Sequence, residues 1–453
     1  MNPRPARRVG PAAAHQLFGF HDASPWNATY SSLLALHVEQ IDAPPGPGDT
    51  ALVGTVEEAT GRFTVHDETT GWNFPQGARQ LWLHDRRRYV YNCPNDGQPR
   101  SRIRSEDGRL LHEFPWGVAT VSPVRDEIYT IDFGRVHRLG GYGHAGSHPW
   151  ESGDDVRRAG GVVAIDVDSG GCRTVAGLEA CRRAAGWPVG GMPRGVPGDY
   201  VTHVDPSPDG RRLALLHRMW VADGGMVTTL CVVDVGLPDH VSCVTQGSLS
   251  HFAWKDDRSI IIWGRCQPWA TRVRGLVPGG RGVVGSVARV AKKMLQPWLG
   301  RHTASFLLMS VEDGQSQAWF PDVLTEDGHP SFCPTQRRWL LIDTYPCPAG
   351  HRDLAIIDTC TGHRHLLGVF QQPQLPVDRM RAARATEGID ADVLRMIGCD
   401  RYAFTRSGLH CDLHPRWRDD GGAVAFDSLH TGGRRIHVID TGDLLTAAVG
   451  DGR

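Results

Sequence analysis

The chain lacks several common functional signatures. Its 11 cysteines are an odd number with no C-x-x-C pair, which excludes a zinc ribbon, argues against a disulfide framework and fits reduced thiols. No run approaches the roughly 20 apolar residues of a membrane-spanning helix. The N-terminal MNPRPARRVGPAAAHQLFG is basic but has no apolar core of a secretory signal. These absences predict a cytoplasmic protein with no transmembrane segment. A net charge of −1 argues against a general nucleic-acid-binding surface. There is no G-x-x-x-x-G-K-S/T loop, no G-x-G-x-x-G after a strand, no G-x-S-x-G elbow and no H-E-x-x-H. Nucleotide chemistry, serine-hydrolase chemistry and zinc-peptidase chemistry are therefore without support.

What is present is repetition. A short cassette followed by a β-rich run recurs as HDASPW from His21, QGARQLW from Gln76, VATVSP from Val118, HVDPSPDGRRLALLH from His203, HFAWKDDRSIII from His251, HPSFCPTQRRWLLID from His329 and HPRWRDDGGAVAFDS from His414. A turn and short strands repeated at this interval read as the blades of a β-propeller. The fold class predicted is all-β, a single seven-bladed propeller over residues 15–445. It is preceded by a disordered arm (1–14) and followed by a tail (446–453). A second repeat, VVAIDVDSGG, LCVVDVG, LAIIDTCTG and IHVIDTGD, marks an alternating strand closed by an Asp/Gly turn. This predicts the third strand of a blade. Two stretches break the pattern. Residues 271–302 are basic without an acid and place Val287, Val290, Met294, Leu295 and Trp298 at helical spacing. Such a helix would suit a lid over an anionic ligand, a membrane-surface patch, or simply a solvated helix on the rim. Residues 371–400 read as a loop with one or two helices.

Equivalent positions of successive blades converge on the propeller axis. His21, Gln76, His203, His251, His329 and His414 are thus expected to face one another. A single histidine there could do no more than brace its neighbour, but five together suit a divalent metal or an anionic sugar. In the segment HCDLHP, Asp412 and His414 alternate onto one face and form a two-ligand unit, unless the Asp merely caps a turn. Asp132–Arg135 with Tyr142 supplies a guanidinium fork for a carboxylate and a proton donor, or else an Arg–Asp pair bracing a loop. His217, Arg218 and Trp220 would suit a sugar site, the ring stacking on the indole, or else an edge-strand surface pair. Trp72 with Gln76 could play the same part in the second blade.

The passages HVDPSPDGRRLALLHRMW, SHFAW and DLHPRWRDDGGAVAFDSLHTGGRRIHVID together resemble the oligogalacturonate lyases, seven-bladed cytosolic propellers. GHPSFCPTQRRWLLIDTYP is similar to a blade start in other propeller polysaccharide lyases, such as those acting on ulvan. The resemblance spans about residues 200–445. It implies β-elimination on uronate-containing sugars and a divalent metal, Mn²⁺ in the family, with Zn²⁺ also compatible with the ligands. His251 and His414 match metal ligands, and Asp412 stands where the family has another His, which favours harder ions. The resulting expectation assigns His251, His329, Asp412 and His414 to the metal. His203 or His217 is the base, Arg218 or Arg135 holds the carboxylate, and Tyr142 is a possible acid. His21, Trp72, Gln76 and Trp220 bind substrate. The expected partner is an acidic oligosaccharide, taken by a monomer, with no nucleic acid. A propeller glycoside hydrolase would want two carboxylates at matching cassette positions, which are missing. A non-catalytic scaffold of the TolB or WD40 kind needs no metal at all.

Overall fold

The computed structural model describes residues 4–13, 15–150, 160–189, 196–221, 225–266, 304–372 and 386–445. Within them the chain folds into five four-stranded antiparallel sheets and one seven-stranded sheet. In the first, His15–Leu17, Ser32–Val38, Ala51–Glu57 and Phe63–Thr69 pair in chain order. Residues 81–114, 120–177 and 331–371 repeat that meander. The last sheet takes Arg416–Trp417, Ala423–Ser428 and Arg435–Asp440 from the C-terminal part, and its fourth strand, Arg7–Val9, from the other end of the chain. Residues 7–9, expected inside a disordered arm, are instead strand: Arg7 pairs with Val438 and Val9 with Ile436. This pairing joins the first and last sheets. Short innermost strands of neighbouring sheets also touch, as Leu81–Trp82 does Thr120–Val121 and Ser331–Phe332 does Arg416–Trp417. The construction is that of a β-propeller.

The seven-stranded sheet, over residues 199–318, has a physical cause in one long strand. Val241–Asp256 pairs with Met226–Asp234 along its first half and with Ser259–Cys266 along its second. It is the outer strand of one four-stranded unit and the inner strand of the next.

The repeated Asp/Gly strands are third strands, as expected: Gly161–Asp166, Met226–Asp234, His351–Asp358 and Arg435–Asp440. Three of the four Asp side chains accept from the turn that follows. The Asp166 carboxylate takes the Ser169 N–H at 2.8 Å, Asp234 takes Gly236 at 2.8 Å and Asp358 takes Cys360 at 3.0 Å. Glycine closes the SPDG and RDDG turns in the left-handed region, with φ of 67° at Gly210 and 75° at Gly421.

Apolar faces are buried between consecutive sheets. Leu81, Val90 and Ile103 of the second pack on Val118, Ile128 and Val163 of the third. Three innermost strands add the same polar latch. The indole N–H of Trp82 donates to Pro25 O at 2.7 Å, Trp254 to Asp205 O at 3.0 Å and Trp417 to Ser331 O at 2.9 Å, each reaching a different sheet unit. The basic stretch 271–302 lies outside the described residues. Of 371–400, residues 373–385 also lie outside, and the rest includes the helix Ala391–Ile397 and the start of the helix Cys399–Arg406. Among the described residues no helix is long and apolar enough to cross a membrane.

Candidate functional site

The five cassette histidines do converge. Ring centroids lie 4.1 Å apart for His251–His329, 4.3 Å for His329–His414, 5.2 Å for His21–His329, 5.9 Å for His21–His414 and 6.4 Å for His203–His251. Local backbone irregularity aims them. His203 and His251 each sit at a break in strand register, between Thr202 and Asp205 and between Leu249 and Phe252. A bulge re-aims a side chain in this way. His203 and His414 also adopt left-handed φ values of 52° and 43°. Such values are unfavourable for a side-chain-bearing residue and persist only where the surroundings enforce them.

In the second sheet the residue that enters the innermost strand with this conformation is Arg79, φ 50°. Arg79 precedes Trp82 by three residues, as His251 precedes Trp254 and His414 precedes Trp417. Arg79, not Gln76, therefore holds the cassette position. Its guanidinium is committed to the Asp22 carboxylate at 2.6 and 3.0 Å and to Ala119 O at 2.7 Å. Gln76 is buried nearby and, with Phe20 and His203, lines a small void.

Three imidazoles have Nδ1 fixed by an acceptor. His329 Nδ1 lies 2.9 and 3.0 Å from the two Asp343 oxygens, His251 Nδ1 lies 3.1 Å from Asp327 Oδ1, and His414 Nδ1 lies 2.8 Å from Gly19 O. With Nδ1 as the donor, Nε2 of each ring presents its lone pair. This is the arrangement in which a second layer of acceptors orients metal-binding histidines. His329, Asp412 and His414 each offer one ligand atom, all within 4.8 Å of one another. His251 packs on His329 but stands outside that trio. Asp412 is also paired with Arg352 at 3.0 Å and His410 at 3.3 Å. Gly19 makes the close approach possible: a Cβ there would lie 2.6 Å from the Gln76 carbonyl.

Electrostatics separate the ring members. Burial, then the neighbouring imidazoles, push His21 well below its ordinary value. Burial and Arg218 do the same to His203, and burial and His329 to His414. Burial would also lower His329, but Asp343, Asp412 and Asp327 outweigh it and raise the group. Burial likewise raises Asp412 in isolation, yet His410 and Arg352 hold it ionised, well below the usual range. The cluster thus combines imidazoles that burial keeps neutral, His21, His203 and His414, with the acid-flanked His329 and a firm carboxylate, a donor set that suits a divalent cation.

Other assignments change. His217 is fully buried with Nε2 at 2.8 Å from Asp199 Oδ2, and Arg135 reaches the same carboxylate at 3.1 Å. Arg182 completes the knot with bonds of 2.7 and 2.6 Å. Neither His217 nor Arg135 thus belongs to the axial cluster; both brace the Asp199–Pro206 strand. The Asp132 side chain caps the helix Phe133–Gly140 by accepting the Arg135 N–H. Trp72 and Trp220 sit in hydrophobic clusters with their indole N–H groups bonded to Asp49 O and Leu139 O, both at 2.9 Å. They do not offer a stacking face at the axis. Tyr142 does belong near the ring, 6.0 Å from His203 by centroid and under the Arg406 guanidinium at 3.9 Å.

Sequence reasoning missed Tyr345, whose ring lies 5.8 Å from His329 and 6.2 Å from His251. It missed Asp343 and Asp327 as well. Asp343 ends the WLLID strand and Tyr345 stands two residues further on, and that alternation is the available signal.

No protein-family profile and no curated protein matches the chain. Among solved structures, oligogalacturonate lyase from Vibrio parahaemolyticus is similar at 9% identity, over 96% of this chain and 93% of that one, with a TM-score of 0.39. An oligogalacturonate lyase in complex with manganese is similar at 12% identity, over 97% and 96%, with a TM-score of 0.40. The β-propeller domain of the Trilobed protease from Pyrococcus furiosus is similar at 11% identity, over 78% of each chain, with a TM-score of 0.39.

Proposed function

We propose that the protein is a seven-bladed propeller enzyme of the cytoplasm, the seven-stranded sheet counting as two blades, and that it cleaves acidic oligosaccharides by β-elimination beside a divalent cation. The observation that carries this reading is the set of Nδ1-anchored imidazoles closing on Asp412. His329, His414 and Asp412 would hold the cation, Mn²⁺ or Zn²⁺, with His251 alongside. Such an ion, when bound, neutralises a uronate carboxylate and so makes the adjacent C5 proton removable.

The chain's own residues supply the rest. His203, kept unprotonated by burial and Arg218, accepts that proton. Its Nδ1 is 3.1 Å from Thr202 Oγ1, which leaves Nε2 for the substrate. Electrons of the broken C5–H bond form the C4–C5 double bond as the C4–O bond breaks. Tyr142, or water, returns a proton to the leaving oxygen. Arg218 and Arg406 add positive charge beside His203 and Tyr142 for the sugar acid. The sequence resemblance to uronate lyases points the same way.

Elemental analysis of the purified protein, with His329→Ala/His414→Ala beside it, tests the reading. About one Mn²⁺ or Zn²⁺ per chain is expected, lost in the variant, as is the ultraviolet absorbance of an unsaturated product from oligogalacturonates. A double variant that keeps both metal and activity would overturn it.

A further inference from the structure

Each described innermost strand runs from its cassette residue into a hairpin turn. Residues that follow the cassette position therefore lie on one side of the cluster, towards the hairpin turns. Asp327, Tyr345, His410 and Asp412 line no part of that side. The turn side is hollow. A cavity of about 480 Å³ has His21 and His203 at its floor, and Trp82, Phe252, Trp254 and Trp417 among its walls. That volume falls in the range of small-molecule sites.

The charges lining it are unevenly matched. Asp22 is held by Arg79, Asp419 by Arg86, and Arg416 by Asp427. Two groups remain. The Asp205 carboxyl has no direct hydrogen bond or ion pair among the described residues; burial and the Asp22 charge raise it well above the ordinary carboxylate range, against the pull of Arg79 and of Arg337 itself. The Arg337 guanidinium makes one long bond, Nη1 to Trp254 O at 3.4 Å. Both line the same cavity. Both are partly buried, and a carboxyl and a guanidinium with so few direct bonds facing one hollow point to a ligand that satisfies both.

We propose that this cavity is a second binding site, for a small hydroxy acid of about monosaccharide size. The ligand's carboxylate meets Arg337, its hydroxyls meet Asp205, and its C–H face lies on the indole walls, whose N–H groups are already tied to backbone. An inorganic anion would leave Asp205 unused. A divalent cation would find one unpaired carboxyl and a repelling guanidinium. An apolar ligand would strand both polar groups. The site uses none of the proposed cation ligands. Only the choice of a uronate as first probe rests on the lyase reading.

The experiment is a tryptophan-fluorescence titration of the whole chain in excess EDTA, which removes any bound cation from the histidine cluster. D-galacturonate and D-gluconate are the probes, with D-galactose and sulfate as controls. Saturable binding of at least one acid at one site per chain is expected, with no saturation by galactose or sulfate. Arg337→Gln should weaken it by about tenfold or more, the loss of a charged hydrogen bond. Asp205→Asn should weaken it too, and His414→Ala should leave it unchanged. Circular dichroism of both cavity variants checks folding; Arg337 is only partly buried and belongs to none of the hydrophobic clusters. Binding indifferent to both cavity variants, abolished by His414→Ala, or absent for both acids would overturn the proposal. Acid binding as expected in a protein with no lyase activity would remove the proposed function and leave this site standing.

Discussion

Asp343 is the most informative single position to perturb. His329 is tied to it twice at Oδ1, by the backbone N–H at 2.7 Å and by Nδ1 at 2.9 Å, and once at Oδ2 by Nδ1 at 3.0 Å. Asp343→Asn keeps the size and, through its remaining oxygen, both Oδ1 bonds. It removes the charge and turns the second contact into N–H against N–H. The His329 ring should stay in place while Nε2 becomes a weaker donor. Loss of an outer carboxylate behind a metal-binding histidine typically costs 10–100-fold in affinity, or about 1.4–2.7 kcal/mol. His414 provides the internal contrast, because its Nδ1 is held by the Gly19 carbonyl, which no side-chain substitution removes. The assay is competition for Mn²⁺ or Zn²⁺ against a chelating dye, with the thermal melt of the cation-free protein as a control for folding. Unchanged affinity in a folded Asp343→Asn protein would refute the idea that His329 is an oriented ligand.

Acid should weaken the fold. Burial pulls His144, stacked on Phe133, and His437, beside His430, down to about 3 from the ordinary 6.5. The native state resists protons that the unfolded chain accepts, so stability is full above about pH 6.5 and falls as the pH drops towards 3. At pH 5 the two together cost about 4 kcal/mol, roughly 2 each. Urea unfolding at pH 8 and pH 5 measures this, and equal midpoints would contradict it. Trp417→Phe should lose about 1–2 kcal/mol, since it strands the Ser331 carbonyl that the indole N–H satisfies at 2.9 Å. A urea midpoint indistinguishable from wild type would show that the latch carries no weight.

The repeated fold was legible because it is written many times over. The strand–Asp–turn pattern and the His cassettes located third strands and the axis from local periodicity alone. In the second sheet the first polar residue of the cassette is Gln76, whereas the indole of Trp82 is the true register mark and selects Arg79. Trp72 and Trp220 look like sugar platforms in the sequence, but burial of a large ring in the core leaves the same composition. His217 and Arg135 have the residue types of a catalytic pair. What decides their role is Asp199, an acid whose distance from Arg135 and Arg182 closes only in three dimensions. Residues 7–9 read as a polar arm because three residues carry too little pattern to reveal a strand whose partner lies more than 400 residues away.

The strand Val241–Asp256 has a mechanical consequence. It runs 16 residues as one strand, with exposed Cys243 near one end and His251 at a register break near the other. Where the other described sheets are joined by loops that can absorb movement, here the backbone itself is the connector. Movement of either half of the seven-stranded sheet is therefore coupled through that backbone to the other. A shift imposed at the rim is delivered to an imidazole of the axial cluster as through a lever.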